Sequence, residues 1–363
     1  MIISSISLRN FRNLADLQAD FSPGFNVIAG NNGQGKTNLL EAVHWLGHLR
    51  PLRTTRVREL IRWKEKSAMV EGSIEQDGLT HRLKVAVESG KRSAYLEEKK
   101  TSALNYNGHL SVVLFTPSDL ELIKGSPEER RRFIDRSIFN LDRRFLSIFL
   151  KYRQALDARN ECLRKHLPDE LIEAYEITMA SYGLDLMKMR RDQLLALRPF
   201  FEEAFRSIMG FEGSLELSYR SILGQLEEES IDALASIFAQ SRTSDRQRGF
   251  TQKGPHTDDF TFKMLDHSAK HFASQGQQRA LVLATKISEI LHFKEKKAEW
   301  PVLLLDDVSS ELDPSKNQKL FQFLNDFSGQ VFITTTNADV LNIDHNYKLW
   351  RVSNGVINSG DTK

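Results

Sequence analysis

Residues 30–37 read Gly-Asn-Asn-Gly-Gln-Gly-Lys-Thr. Before them runs the apolar stretch Phe25-Asn26-Val27-Ile28-Ala29, and after them Leu39, Leu40, Val43 and Leu46 recur at helical spacing. This is the pattern G-x-x-x-x-G-K-[ST] in a strand–loop–helix context, and it commits the chain to an α/β fold with a buried strand feeding a helix. Glycines let the backbone wrap around an anion and turn its N–H groups inward. The helix that follows presents its N-terminus to the same anion. Lys36 is expected to reach the β- and γ-phosphates of a nucleotide, and the Thr37 hydroxyl to ligate Mg²⁺. The expected ATP site is therefore Gly30, Asn31, Asn32, Gly33, Gln34, Gly35, Lys36, Thr37 and Asn38.

Two further segments fit such a site. Leu303-Leu304-Leu305-Asp306-Asp307 reads as a buried strand ending in carboxylates. A P-loop protein holds its Mg²⁺ at that place, so Asp306 is the expected metal-side acid. Asp307, one residue on, is placed to polarise an attacking water as general base. Lys36, Asp306 and Asp307 are thus the expected catalytic residues. Ahead of this strand, Ser274-Gln275-Gly276-Gln277 opens a helix with Ala280, Leu283, Ile287 and Ile290 on one face. Ser274, the Gly276 N–H and the helix start form an anion site. The same residues also make an ordinary capping box, with Ser274 as N-cap and Gln277 at N3, and this segment alone does not separate the two readings.

The rest of the chain divides by pattern. Alternating strands are expected over 68–74 and 82–87, and buried strands over 112–115 and 331–334. From about residue 118 to 240 charged and apolar residues recur at helical spacing, as in Phe145, Phe149, Tyr152 and Leu156. This stretch is read as a mostly helical insertion with one short strand near 214–219. The α/β pattern returns after Gly254, with a strand at 260–264, and the end reads as a hairpin around Asn354-Gly355. The expected organisation is one ATPase domain, residues 1–117 and 241–363, split by a helical lobe, residues 118–240.

Composition narrows the setting. No run approaches the roughly 18 to 20 apolar residues that span a bilayer, and the start lacks the plan of a secretory signal. The single cysteine, Cys162, excludes an internal disulfide and a Cys-rich metal site. A cytoplasmic protein without membrane contact is expected. The net charge is only +2, but residues 44–66 carry seven Lys/Arg against two acids and residues 120–165 twelve against seven. Uneven charge of this kind marks either a polyanion-binding face or a solvated helix surface.

The order of phosphate loop, Ser274–Gln277, Asp306-Asp307 and Ser310-Glu311-Leu312-Asp313 resembles the ABC/SMC class of ATPase heads. In that class Ser274–Gln277 matches the signature, and Ser310 and Asp313 match the D-loop. Within the class the chain resembles the bacterial RecF family of DNA replication and repair proteins over almost its whole length. Leu8–Leu14, Phe115–Leu120, Gly125–Asp135, Gly254–Asp259 and Ser274–Arg279 carry that likeness. The resemblance implies an ABC-type P-loop ATPase head with an inserted, mostly helical lobe. It implies that ATP draws two heads into a homodimer, with the signature of one gripping the γ-phosphate held by the other. It implies that the closed dimer binds double- and single-stranded DNA at gaps or junctions, that slow hydrolysis releases it, and that the RecO and RecR mediators and RecA act with it.

The pattern also departs from the transporter branch of the class. Asp307 stands where transporters have Glu, Thr334-Thr335-Thr336-Asn337 where they have a switch histidine, and no Q-loop glutamine follows residues 112–115. These departures point to a slow ATPase used as a switch rather than a transport motor; a non-enzymatic ATP-binding scaffold is the other alternative. Phosphate contacts to DNA need Lys and Arg. Arg50, Arg53, Arg56 and Arg58 form the first candidate cluster, and Arg130, Arg131 and Arg132 a weaker second one. Arg12 is placed with the ATP-binding residues. Thr257 stands where the family has Arg, and His256 reads as a conformational latch or, preferably, as a satisfied core histidine.

Overall fold

The computed structural model describes the chain except residues 55, 226–227, 309–311, 339–340, 342 and 363. Ser310, expected in the D-loop, lies outside the described residues. The chain divides into two compact units, residues 1–119 with 286–363, and residues 120–285.

The first unit is built on two sheets. In one, strands β1 (Ile2–Phe11), β2 (Leu14–Asp20), β4 (Ser67–Gln76), β5 (Leu79–Glu88), β6 (Lys91–Leu96) and β7 (Lys99–Thr101) lie in the order β2-β1-β4-β5-β6-β7, all antiparallel. Burial alternates along β4 as it does in a sheet with one covered face. The other sheet uses β3 (Phe25–Ala29), β8 (Val112–Phe115), β12 (Val302–Asp306), β13 (Val331–Thr335), β14 (Tyr347–Ser353) and β15 (Val356–Thr362), in the order β15-β14-β3-β13-β12-β8. Its five strands from β14 to β8 are parallel. Every residue of β8, β12 and β13 is buried, which is why they read as unbroken apolar runs.

The helix Lys36–His48 packs against strands of both sheets. That position explains why it is buried nearly all round, with Leu39, Leu40, Trp45 and Leu46 at 0% exposure. Trp45 stacks on Phe11 with ring centroids 5.7 Å apart. The Gln330 side chain accepts from the Ile3 N–H at 2.8 Å and donates to the Ile3 and Ser22 carbonyls, tying the edge of β1 to the start of β13.

The second unit holds the helices Pro127–Leu141, Arg144–Arg164, Asp169–Met209 and Ile231–Arg248 and a small antiparallel sheet. That sheet is β9 (Leu215–Arg220), β10 (Asp259–Met264) and β11 (His267–Ser268), in the order β11-β10-β9. The strand expected at 260–264 therefore pairs with β9, Phe260 opposite Tyr219, rather than with the ATPase sheet. Residues 241–285, which the sequence pattern grouped with the ATPase domain, fall in the second unit for this reason.

Candidate nucleotide-binding site

The loop between β3 and the helix Lys36–His48 takes the shape its glycines permit. Gly33 and Gly35 have φ of +77° and +117°, where side chains are strained. A Cβ on Gly35 would lie 2.8 Å from Asn13 Oδ1, and one on Gly30 would lie 2.4 Å from the Val352 carbonyl oxygen. The loop is braced from outside. Asn13 donates to the Gln34 carbonyl at 3.1 Å and accepts from Asn38 Nδ2 at 2.7 Å. The hairpin turn at Asn354-Gly355 donates both its N–H groups to Gln34, to Oε1 at 2.5 Å and to the carbonyl oxygen at 3.1 Å.

Lys36 curls over this loop. Its ammonium donates to the Gly30 and Asn31 carbonyls at 2.7 and 3.0 Å. Burial holds its pKa below the ordinary lysine value, while Asp307 and Asp306 pull the other way. Thr37 donates its hydroxyl to Asp306 Oδ1 at 2.8 Å, joining residues 269 positions apart. Thr334 donates to the same oxygen at 2.8 Å and accepts the Asp307 N–H at 2.9 Å. Asp307 itself sits at φ +50°, an uncommon region for a non-glycine residue and one that concentrates at functional sites.

A second cluster lies beside the loop. Glu41 is fully buried in the helix Lys36–His48. Arg12 grips it with two hydrogen bonds of 2.9 Å, and Arg53 adds one of 2.8 Å. The Leu52 N–H donates to it at 3.2 Å. Burial works to raise the Glu41 pKa, but Arg12 and Arg53 outweigh it and hold the carboxyl below its ordinary value. Arg12 also donates to the Glu59 carbonyl, and Arg53 to Asn38. Both arginines are thereby fixed beside the loop, Arg12 largely covered and Arg53 half exposed.

The other expected residues are placed as follows. Ser274 and Gln277 form a reciprocal capping box, with the Gln277 N–H donating to Ser274 Oγ at 3.2 Å and the Ser274 N–H to Gln277 Oε1 at 2.8 Å. Ser274 and Gln275 are exposed, and Gly276 is half-buried. Asp313 caps the helix Pro314–Asn325 and pairs with Lys316. Arg50, Arg56 and Arg58 are exposed, and Arg58 donates to the Ser89 carbonyl at 3.3 Å. In the second arginine cluster, Arg130 binds both Asp259 oxygens at 2.6 and 3.0 Å, Arg131 donates to the Asp258 carbonyl, and Arg132 pairs with Glu128 and Glu129. These are internal contacts within the second unit. His256 accepts from the Tyr152 hydroxyl at 2.6 Å and donates to the Thr251 carbonyl at 2.9 Å, so both ring nitrogens have partners, and burial lowers its pKa.

Sequence reasoning missed three supporting residues. Thr334 was read only as a missing switch histidine, yet it holds Asp306 and the Asp307 backbone. Asn13 lies in the Leu8–Leu14 segment but was given no role there, and Glu41 carries no motif; their roles depend on strand register and helix burial. A charged residue at an otherwise apolar helix position was the one available signal for Glu41.

The chain is similar to known proteins over almost its whole length. Residues 2–358 match the family model described as RecF/RecN/SMC N terminal domain. The chain is 41% identical over 350 residues to the "DNA replication and repair protein RecF" of Myxococcus xanthus (strain DK1622), covering 94% of this chain and 92% of the relative. It is 35% identical to the protein of the same name from Geotalea daltonii, covering 98% and 100% of the two chains. A solved structure of "the recombination mediator protein RecF-ATP in RecFOR pathway" superposes with a TM-score of 0.90 at 30% identity, covering 99% of this chain and 98% of that one. A structure of "the SmcHead bound to the C-winged helix domain of ScpA", 18% identical with a TM-score of 0.57 over 99% of this chain and 97% of that one, shares the fold.

Proposed function

Since the chain belongs to the RecF family within the RecF/RecN/SMC ATPases, we propose that it is an ATP-dependent DNA-binding protein of recombinational repair whose slow ATPase acts as a switch. The observation that carries this reading is the Thr37–Asp306 contact of 2.8 Å beside a loop whose Gly33 and Gly35 take positive φ and over which Lys36 folds back. A hydroxyl and a carboxylate, both hard oxygen donors, suit Mg²⁺. Thr37 and Asp306 are the residues that would hold it, and when bound it neutralises charge on the nucleotide phosphates.

Each remaining group has a task in this reading. Lys36 moves its ammonium from the Gly30 and Asn31 carbonyls to the phosphates, exchanging weak neutral acceptors for charged ones. Asp307 takes a proton from the attacking water, while Thr334 fixes the backbone that presents it. Arg12 and Arg53, anchored on Glu41, add fixed positive charge beside Asn38.

ATP bound by one copy is gripped by Ser274, Gln275, Gly276 and Gln277 of a second copy, so that nucleotide drives a homodimer. The exposure of Ser274 and Gln275 at a helix start supports that contact. Arg50, Arg53, Arg56 and Arg58 supply phosphate contacts to DNA at gaps or junctions, and hydrolysis releases it. The RecFOR pathway named for the similar structure supports partnership with the RecO and RecR mediators, and RecA as the loaded recombinase is what the family resemblance implies.

Sedimentation with Mg-ATP, with and without gapped duplex DNA, tests the reading beside Ser274→Arg. ATP should dimerise the wild type, DNA should travel with the dimer, and the variant should stay monomeric. A wild type that binds ATP and DNA as a monomer would refute the sandwich and favour a scaffold.

A further inference from the structure

Trp63 is 85% exposed, more than any other large hydrophobic side chain described. The other three tryptophans have partners: Trp45 stacks on Phe11, Trp350 meets Phe21, and Trp300 meets Phe327 with Lys294 over its ring. Among the described residues Trp63 makes no ring or cation contact. An indole held in water contributes nothing to the core, so its packing does not explain it.

The backbone beneath it is firmly held. Ile61 bridges Phe11. The Arg62 N–H donates to the Asn10 carbonyl at 2.8 Å, and the Glu65 N–H closes the turn on the Arg62 carbonyl at 3.0 Å. Asn10 Nδ2 donates to Glu65 at 3.2 Å. Lys64 has φ +71°, the conformation a tight turn needs at its third residue, so Trp63 stands at the corner. A rigid corner loses little freedom when something lands on the ring.

The surroundings choose the occupant. Arg62, Lys64 and Lys66 flank Trp63 in the sequence, all exposed, and no side-chain hydrogen bond or ion pair of theirs occurs among the described residues. Glu65, the one acid between them, is engaged by the neutral Asn10. Lysine is depleted at the centres of protein–protein interfaces. An aromatic platform among cations that track a backbone is instead the arrangement that binds single-stranded nucleic acid. Continuous duplex buries its base faces against one another, whereas a gap or single-stranded tail offers an unpaired base.

We propose that Trp63 stacks on an unpaired base while Arg62, Lys64 and Lys66 hold the adjoining phosphates, so that this turn distinguishes gapped or tailed DNA from continuous duplex. The inference rests on the DNA-binding reading above and assigns the residue that gives it structural preference.

The test uses the full chain with Mg-ATP. Affinities are measured for an oligo-dT strand, a gapped duplex and a blunt duplex of equal length, together with the intrinsic tryptophan emission. Gapped DNA and oligo-dT should quench the wild-type emission more strongly than blunt duplex. Trp63→Ala should lower the preference for gapped over blunt DNA by about five- to a hundred-fold, the range for losing one stacked base. Trp63→Phe, which keeps a smaller ring, should restore part of it. An unchanged preference in Trp63→Ala, or equal quenching by blunt duplex, overturns the proposal. An intact preference with lost co-sedimentation of a mediator protein would make Trp63 a protein anchor and overturn it equally. A wild type that binds none of the three DNAs would sink the DNA-binding reading itself, a distinguishable failure.

Discussion

The second unit and the phosphate loop hold charge in opposite ways. In the second unit Arg159 is fully buried, and all five of its N–H donors are matched. Two go to Glu176 Oε1, one to Asp245 Oδ2 at 2.8 Å, one to Thr251 at 2.7 Å and one to the Phe238 carbonyl. Arg190 grips Asp135 and reaches the Pro255 carbonyl and Asp258. At the phosphate loop, by contrast, Lys36 rests on backbone carbonyls, and Asp306 is held by two hydroxyls rather than by a cation. A closed charge network is a scaffold, because every group already has its partner. Groups held by weak, neutral, exchangeable partners are ready for a charged ligand.

The largest effect should come from opening the closed network. Arg159→Met leaves Glu176 and Asp245 buried with one cation fewer, and Arg242 compensates only Glu176. Breaking a buried pair in this way costs about 3–5 kcal/mol. Urea unfolding followed by helical circular dichroism should show the midpoint fall steeply, and an unchanged midpoint would contradict the scaffold assignment.

The matching change at the loop should do the reverse. Lys36→Met removes an ammonium whose burial already disfavours its charge. Turnover should drop about 10²–10³-fold, as for loss of one preorganised charge stabiliser, and nucleotide-dependent DNA retention should vanish. The unfolding midpoint should hardly move. A variant as destabilised as Arg159→Met would place Lys36 among the structural charges instead.

Glu41 sharpens the contrast, since it lies beside the loop yet is closed like the second unit. Its folded pKa lies below the ordinary 4.5. The carboxylate therefore contributes stability that is present above about pH 4.5 and is lost as pH falls through the lower folded value. Glu41→Gln should cost about 1.5–3 kcal/mol at neutral pH, the worth of hydrogen bonds to a charged group. The gap from wild type should close on acidification. A gap independent of pH would mean that shape rather than charge holds Arg12 and Arg53.

The contrast also explains what the sequence made legible. The phosphate loop could be read because its function is local, eight consecutive residues between a strand and a helix. The Asp pair could be read from a strand that is apolar to its last residue. Arg130, Arg131 and Arg132 could be ranked only as the weaker of two basic clusters, because charge composition hides pairing. The partner of Arg130 is Asp259, 129 residues away. The same blindness covers Thr334, set opposite Asp306 by parallel register, and the division at Thr285 rather than near residue 240. Strand β10 carries a fully regular alternating pattern that says nothing about which sheet it joins. Trp63 was visible as a letter among basic residues, but its exposure follows from the turn built on Asn10.

Ser274 gives the cleanest separation of the two kinds of role. Its capping box with Gln277 is sufficient reason for a serine there, so structure and function coincide in one side chain. Ser274→Ala should cost the helix about 0.5–2 kcal/mol, the usual worth of an N-cap. Ser274→Asp should cost little or nothing, because aspartate caps as well as serine and favours a helix start electrostatically. If the site serves only the cap, Ser274→Asp should behave as wild type in every assay. If it also faces the γ-phosphate of a second copy, the added charge should abolish ATP-driven dimerisation while the melting temperature stays in place. That combination, a stable chain that no longer dimerises, is one that a purely local role cannot produce.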